Sequence, residues 1–283
     1  MLTNTIDTLQ LARRGGYCVA AFNTVDYLTT EAVVLAAEEK RSPVIVQVSA
    51  GTIKRFGTRT LVEWMRILDQ KTSVPISLHL DHGRDVGVIR QAILDGFSSV
   101  MYDGSNLPFE ENVAQTRDIV EFAHAHGVSV EGEIGVVAGV EDDIVIREDA
   151  AIYTTPEEAE RFRRESGADF VAAAIGTAHG FYKVKPRLNI ETLRTIAKSA
   201  DYPLVVHGGT GLDEETIREL VRAGAAKFNV STQIKQTYID ALATYIESHR
   251  REYHPLKMLE FAKESLVAML GGYMDILSSS GRA

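Results

Sequence analysis

Eight short β-rich runs alternate along the chain with eight longer stretches of helical spacing, and this alternation limits the fold more than any other feature. The runs are Gly16–Phe22, Val44–Val48, Ile76–Leu80, Ser98–Tyr102, Ser129–Gly132, Phe170–Ala174, Leu204–Val206 and Ala226–Val230. Amphipathic stretches follow them at Tyr27–Lys40, Thr60–Gln70, Asp85–Asp95, Phe109–His124, Pro156–Glu165, Ile190–Lys198, Glu214–Arg222 and Thr232–His249. Spread over 283 residues, eight units take about 35 residues each, the length of a strand, a helix and two loops. The strand candidates show little polar alternation, as expected where both faces of a parallel sheet are covered.

An open doubly wound sheet would also alternate in this way. Eight consecutive units without a nucleotide-binding fingerprint instead predict closure into a (β/α)8 TIM barrel of the α/β class. No linker or composition break divides the series, so residues 1–283 are expected to form a single domain. Pro255–Gly271 reads as an additional C-terminal helix, packed outside the barrel or against another subunit. With 45% hydrophobic residues the chain has ample material for a core, and its 30 Lys and Arg against 39 Asp and Glu give a formal charge of −9. That balance, with no basic block, argues against a nucleic-acid partner. Apolar runs such as Phe170–Ala174 fall far short of the roughly 20 residues that span a bilayer, and the N-terminus lacks a charged-then-apolar leader. Neither membrane nor export is indicated, and Cys18, the single cysteine, reads as a buried structural thiol. A cytoplasmic protein is expected.

In a closed barrel the residues just after each strand converge on one rim. There the sequence places Asn23, Ser49, Asp81 and His82, Asp103 to Ser105, Glu131 to Glu133, His179, His207 and Asn229. Three neutral imidazoles with an open fourth position form a catalytic zinc set. Any one of these histidines alone reads best as a satisfied core or rim residue, and the convergence of three beside carboxylates favours the metal reading. His79, inside its strand, reads as packing or support, whereas His124, His126, His249 and His254 fall on helices or their ends and read as solvated.

Glycines supply a second signal. Gly180 follows His179, and Gly208, Gly209, Thr210 and Gly211 follow His207, a pattern that lets backbone N–H groups approach a phosphate. Barrel phosphate sites commonly use the loops after strands seven and eight, here His207–Leu212 and Asn229–Gln233, and Lys183 would add charge. A third feature is the connection Gly135–Thr155, about 20 residues long and longer than most in compact domains. It reads as an active-site lid or a small hairpin, and a carboxylate carried on it, Glu141 among several, would suit proton transfer.

Five separated motifs carry a family resemblance. They are Leu78-His79-Leu80-Asp81-His82-Gly83, Glu131-Gly132-Glu133-Ile134-Gly135, Gly176-Thr177-Ala178-His179-Gly180, Tyr182-Lys183 and His207-Gly208-Gly209-Thr210-Gly211. In order and spacing they resemble the motifs of the class II, zinc-dependent fructose- and tagatose-bisphosphate aldolases across nearly the whole chain. The resemblance implies zinc ligands at His82, His179 and His207 and an acid/base at Asp81. It further implies a proton-exchanging carboxylate at Glu141, and at Glu133 a carboxylate that holds zinc in a withdrawn position.

The family's ketose-phosphate cradle maps to Gly180, Lys183, Gly208, Gly209, Thr210, Ser231 and Thr232, and its dihydroxyacetone-phosphate contact to Asn229. A sodium or potassium ion held by backbone carbonyls near the phosphate is also implied, as is a homodimer or homotetramer. Ser231 departs from the pattern, since this position tends to be acidic in some fructose-bisphosphate enzymes and small in tagatose-bisphosphate enzymes, and serine selects neither. Lys235, Ser49 and Lys54 are candidates for a second phosphate, and each is equally an ordinary surface residue. Substrates derived from inositol or other keto-sugar phosphates fit the same residues. A barrel hydrolase activating zinc-bound water would be expected to carry a His-x-His pair after an early strand, and none is present near the first or second. A non-catalytic companion subunit would be marked by loss of the ligands, which are retained, although dependence on an accessory subunit stays open.

Overall fold

The computed structural model describes residues 2–141, 144–146, 152–180 and 186–283. In chain order the elements are α1 (Thr5–Gly15), β1 (Val19–Asn23), α2 (Tyr27–Lys40), β2 (Val44–Val48), α3 (Ala50–Phe56), α4 (Thr58–Asp69), β3 (Ile76–Gly83), α5 (Val86–Asp95), β4 (Ser99–Tyr102) and α6 (Phe109–His124). There follow β5 (Ser129–Ile134), β6 (Ala138–Glu141), β7 (Ile144–Ile146), α7 (Pro156–Ser166), β8 (Phe170–Ala173), β9 (Ala178–His179), α8 (Ile190–Ser199), β10 (Leu204–Val206), α9 (Glu214–Arg222), β11 (Ala225–Val230), α10 (Thr232–Ser248) and α11 (Pro255–Ile276).

Eight of the strands form a closed parallel barrel in the order β1, β2, β3, β4, β5, β8, β10, β11. Closure is made by β1, which pairs with β2 through Ala20–Val44 and with β11 through Val19–Lys227. The expected barrel is therefore observed, with every strand candidate within a few residues of its place. Helix boundaries follow local chemistry: Asp26 caps α2 in a box with Thr29, and Thr155 caps α7 in a box with Glu158, Pro156 opening the helix.

Side chains alternate between two apolar regions. Ala20, Phe22, Val44, Val46, Leu78, Leu80, Val130 and Val171 join the helices in the outer core. Val19, Ala21, Ile45, Phe170, Ala172 and Val205 instead pack inside the barrel with Leu9 and Ala12 of α1, which stoppers the end where the strands begin. Helix α1 was not expected from the sequence. Nor was the degree of polar alternation: β3 places Ser77, His79 and Asp81 opposite to Leu78 and Leu80, and β5 places Ser129, Glu131 and Glu133 opposite to Val130 and Ile134. All of these polar residues are buried. The lumen is thus apolar near α1 and polar toward the opposite rim.

Two other features concern that rim, the first not expected from the sequence and the second one of its two readings. Helix α3 occupies the segment between β2 and α4, and β6 and β7 form an antiparallel hairpin within the long connection after β5. Strand β6 also pairs in parallel with the two-residue β9, Gly139 opposite His179. The C-terminal helix α11 runs to Ile276, five residues beyond the expected Gly271. It packs on α2 and α10, burying Leu266, Leu270 and Met274 completely. Cys18 is buried, and burial pushes its thiol pKa up, as expected of an inert side chain. Among the described residues no helix is long and apolar enough to cross a membrane.

Candidate active site at the barrel rim

Adjacent residues of a regular strand face opposite ways, yet Asp81 and His82 both lie buried at the rim. The backbone explains this. Between Leu80–Val100 and Gly83–Tyr102 the pairing of β3 with β4 gains one residue on β3, a bulge, and His82 sits at φ 47 in the left-handed region. Gly83 completes the turn, because a Cβ there would stand 2.7 Å from the Met101 carbonyl oxygen and 2.9 Å from Ile89.

The bulge turns His82 toward His179 and His207, which arrive from β9 and from the end of β10. Ring centroids are 5.1 Å apart for His82–His179, 4.8 Å for His82–His207 and 6.1 Å for His179–His207. One nitrogen from each ring lies within 4.8 Å of the others, a set that can hold a metal ion. Carboxylates orient two of the rings from behind: Glu131 Oε1 stands 2.7 Å from His207 Nε2, and Asp103 Oδ2 stands 3.2 Å from His82 Nδ1. The proton of the neutral His207 ring is thereby placed on Nε2, leaving Nδ1 directed at His82 Nε2, 3.1 Å away. Burial pushes His207 below the ordinary imidazole value against the pull of Glu131, which favours the neutral form, the one able to ligate a metal.

Four carboxylates crowd this cluster. Burial alone would raise Asp103, but hydrogen bonding and charge from His82, with Ser105 and Arg84, bring it below the usual range. Glu131 follows the same logic, burial being overcome by the Lys227 ammonium and by His207. Glu133 goes the other way: burial and then the Asp103 charge push it well above the ordinary carboxylate value. Its Oε2 accepts no hydrogen bond although it lies 3.5 Å from His82 Nδ1, and His82, Asp103 and Glu133 form a second group of metal-ligand spacing. An orphaned buried carboxylate oxygen beside three converging imidazoles is the donor chemistry that suits a divalent cation.

Asp81, beside this cluster, is held by an amide on each oxygen. Asn23 Nδ2 donates to Oδ2 at 2.8 Å and Asn229 Nδ2 donates to Oδ1 at 3.2 Å. Behind the amides, Gln47 Nε2 donates to Asn23 Oδ1 at 2.6 Å and Lys227 Nζ donates to Asn229 Oδ1 at 2.8 Å.

The glycine loops lie against one another. Gly208, at φ 65, is so close to β9 that a Cβ would be 2.5 Å from the Ala178 carbonyl oxygen, and a Cβ on Gly209 would be 2.3 Å from the Phe228 ring. Gly180 also has positive φ, Thr210 is buried, and Ser231 precedes Thr232, the first residue of the 17-residue α10. Among the described residues no hydrogen bond reaches Ser231 Oγ, which is buried at the helix N-terminus without capping it. Ser49, by contrast, is engaged as the N-cap of α3, with Lys54 exposed on that helix and Lys235 partly buried on the first turn of α10. Glu141 ends β6 but its side chain lies outside the described residues, as does Lys183.

The sequence reading had no role for Lys227, Gln47 or Arg84. Lys227 carried a signal, a lysine between Ala226 and Phe228 in a strand whose other polar residue is Asn229, which is sustainable only with a buried partner.

The family model for fructose-bisphosphate aldolase class-II matches residues 3–282. The chain belongs to the class II fructose-bisphosphate aldolase family. It is 39% identical over 285 residues to the fructose-bisphosphate aldolase of Geobacillus stearothermophilus, covering 100% of this chain and 99% of that protein. With the fructose-bisphosphate aldolase of Thermus caldophilus the identity is 38% over 306 residues, covering 100% of both. Among solved structures, the YdjI aldolase of Escherichia coli K12 matches with a TM-score of 0.88 and 29% identity over 100% of each chain. The protein is a class II aldolase, a carbon–carbon lyase, and the barrel rim carries the metal-ligand groups suited to that class.

Proposed function

We propose that this aldolase catalyses the zinc-dependent, reversible cleavage of a ketose 1,6-bisphosphate of the fructose or tagatose type to dihydroxyacetone phosphate and an aldehyde such as glyceraldehyde 3-phosphate. The observation that carries the reading is the placement of Asp81 beside the three histidines, with both of its oxygens held by amide donors. His82, His179 and His207 would hold zinc, which would supply Lewis acidity to the substrate. Glu133, whose Oε2 lacks a hydrogen bond, is a secondary ligand.

Asp81 accepts the hydroxyl proton of the carbon that departs as the aldehyde and returns it in the condensation direction. Asn23 and Asn229 fix the carboxylate for that transfer, and the amide of Asn229 also meets the dihydroxyacetone-phosphate portion. Glu141, on the hairpin that pairs with β9, exchanges the proton at the carbon next to the ketone. The phosphate is received by Gly180, Gly208, Gly209 and Thr210 with Ser231 and Thr232 at the N-terminus of α10, joined by Lys183 and a monovalent cation on backbone carbonyls. The buried hydroxyl of Ser231, with no hydrogen bond of its own, supports this placement. Lys235, Ser49 and Lys54 are the remaining candidates for the distal phosphate. The working form is a cytoplasmic homodimer or homotetramer.

Release of dihydroxyacetone phosphate from fructose 1,6-bisphosphate and tagatose 1,6-bisphosphate, measured side by side with chelator and zinc restoration, tests the assignment. Chelator-sensitive cleavage supports it and ranks the epimers. Zinc-loaded protein that cleaves neither sugar contradicts it and directs attention to another keto-sugar phosphate.

A further inference from the structure

A lysine with no solvent exposure lies beneath the site. Lys227 and Glu131 are both 0% exposed and pair at 2.9 Å between Nζ and Oε2. Burying such a pair is a poor way to stabilise a fold, because the desolvation cost offsets the Coulombic gain and apolar replacements are often as stable. The partners of the pair are more informative. Glu131 Oε1 is the acceptor for His207 Nε2, and Lys227 Nζ is the donor to Asn229 Oδ1 at 2.8 Å. His207 is one of the three clustered imidazoles, and Asn229 is one of the two amides on Asp81.

Building on the function proposed above, we propose that Lys227 is a positioning residue that sets both halves of the site at once: the ring of His207 through Glu131, and the amide of Asn229, hence Asp81, by direct donation. An ammonium only donates, so the Asn229 group facing it is the carbonyl and the group facing Asp81 is the NH2. An unanchored amide can turn over. Once Asp81 has taken the substrate's proton, a turned Asn229 would accept a hydrogen bond from it and hold the proton back. Lys227 removes that alternative. On the other side, Lys227 Nζ pairs with Glu131 Oε2 at 2.9 Å, which aims Oε1 at His207 to accept from Nε2–H and leaves Nδ1 to ligate.

The test compares wild type, Lys227→Met and the charge-balanced Lys227→Met/Glu131→Gln, reading metal affinity by competition with a chromogenic chelator, the visible spectrum of the Co2+ form, and kcat and KM for ketose-bisphosphate cleavage. Lys227→Met is expected to weaken metal binding about 10- to 100-fold and to lower kcat by at least about tenfold with little change in KM. In the double variant the new amide can accept from His207 and donate to His79 Nε2, which is 3.4 Å from Glu131 Oε2 and has no hydrogen bond of its own. Metal affinity and the Co2+ spectrum should then return toward wild type while kcat stays low, because nothing anchors Asn229. Should the single variant fail to fold, the double variant carries the same judgement. Wild-type kcat together with wild-type metal affinity in Lys227→Met overturns the proposal, and so does recovery of both in the double variant, which would reduce Lys227 to charge balance. If wild type binds metal but cleaves no ketose bisphosphate, the functional reading falls, and the metal affinities still decide whether Lys227 acts through Glu131.

Discussion

At the scale of single residues, the site depends on two neighbours facing the same way. Asp81 and His82 do so only because His82 adopts a left-handed backbone in a bulge that Gly83 makes possible. Asp81→Ala leaves the imidazoles and their supporting carboxylates in place, so zinc content should be unchanged while kcat falls about 10²- to 10⁴-fold, the range for loss of a positioned acid/base. Metal analysis and steady-state kinetics on one preparation check this. The groups that carry the motifs, Asp81, His82, His179 and His207, were legible in the sequence because each sits at a strand end in a run with its own glycines. Lys227 was not legible as part of the site, since its meaning lies in Glu131 and Asn229, one of which reaches it only through barrel closure. The long-range pairing of Asp103 with His82 was equally hidden.

At the scale of elements, the barrel strands were readable from their apolar runs, whereas α1 and α3 were not. Helix α3 has 7 residues, too few for a periodic signal, and its start at Ser49 reads as a rim position until the structure shows Ser49 as a cap. The long connection after β5 offered a lid or a hairpin, and its described part is a hairpin bound to β9, the strand that carries His179. Gly139 is where they touch: φ is +110 and a Cβ would be 2.2 Å from the His179 carbonyl oxygen. Gly139→Ala must therefore push β6 off β9. Metal affinity should weaken about tenfold or more through His179, with thermal unfolding little changed because the barrel hydrogen bonds are untouched. Chelator competition and a melting curve on the same variant separate the two effects.

At the scale of the whole molecule, the barrel is braced at one end and along its outside by helices beyond the repeating series. Helix α1 fills the end where the strands begin, and α11 lies across α2 and α10, with Lys40 and Asp275 paired at 2.6 Å at its C-terminal end. Leu270 of α11 is fully buried in the outer core, so Leu270→Ala should cost about 2–5 kcal/mol of unfolding free energy. Denaturant titration with the metal site saturated in both proteins measures this without contribution from differences in metal occupancy. In the proposed function the three histidines, brought together from distant parts of the chain by barrel closure, hold the metal on which carbon–carbon cleavage depends. Zinc stoichiometry and ketose-bisphosphate cleavage measured together on wild type and His179→Ala test it most directly. Wild type should hold one zinc per chain and cleave, and His179→Ala should lose zinc and cleavage in step. A His179→Ala protein that cleaves without zinc would contradict it.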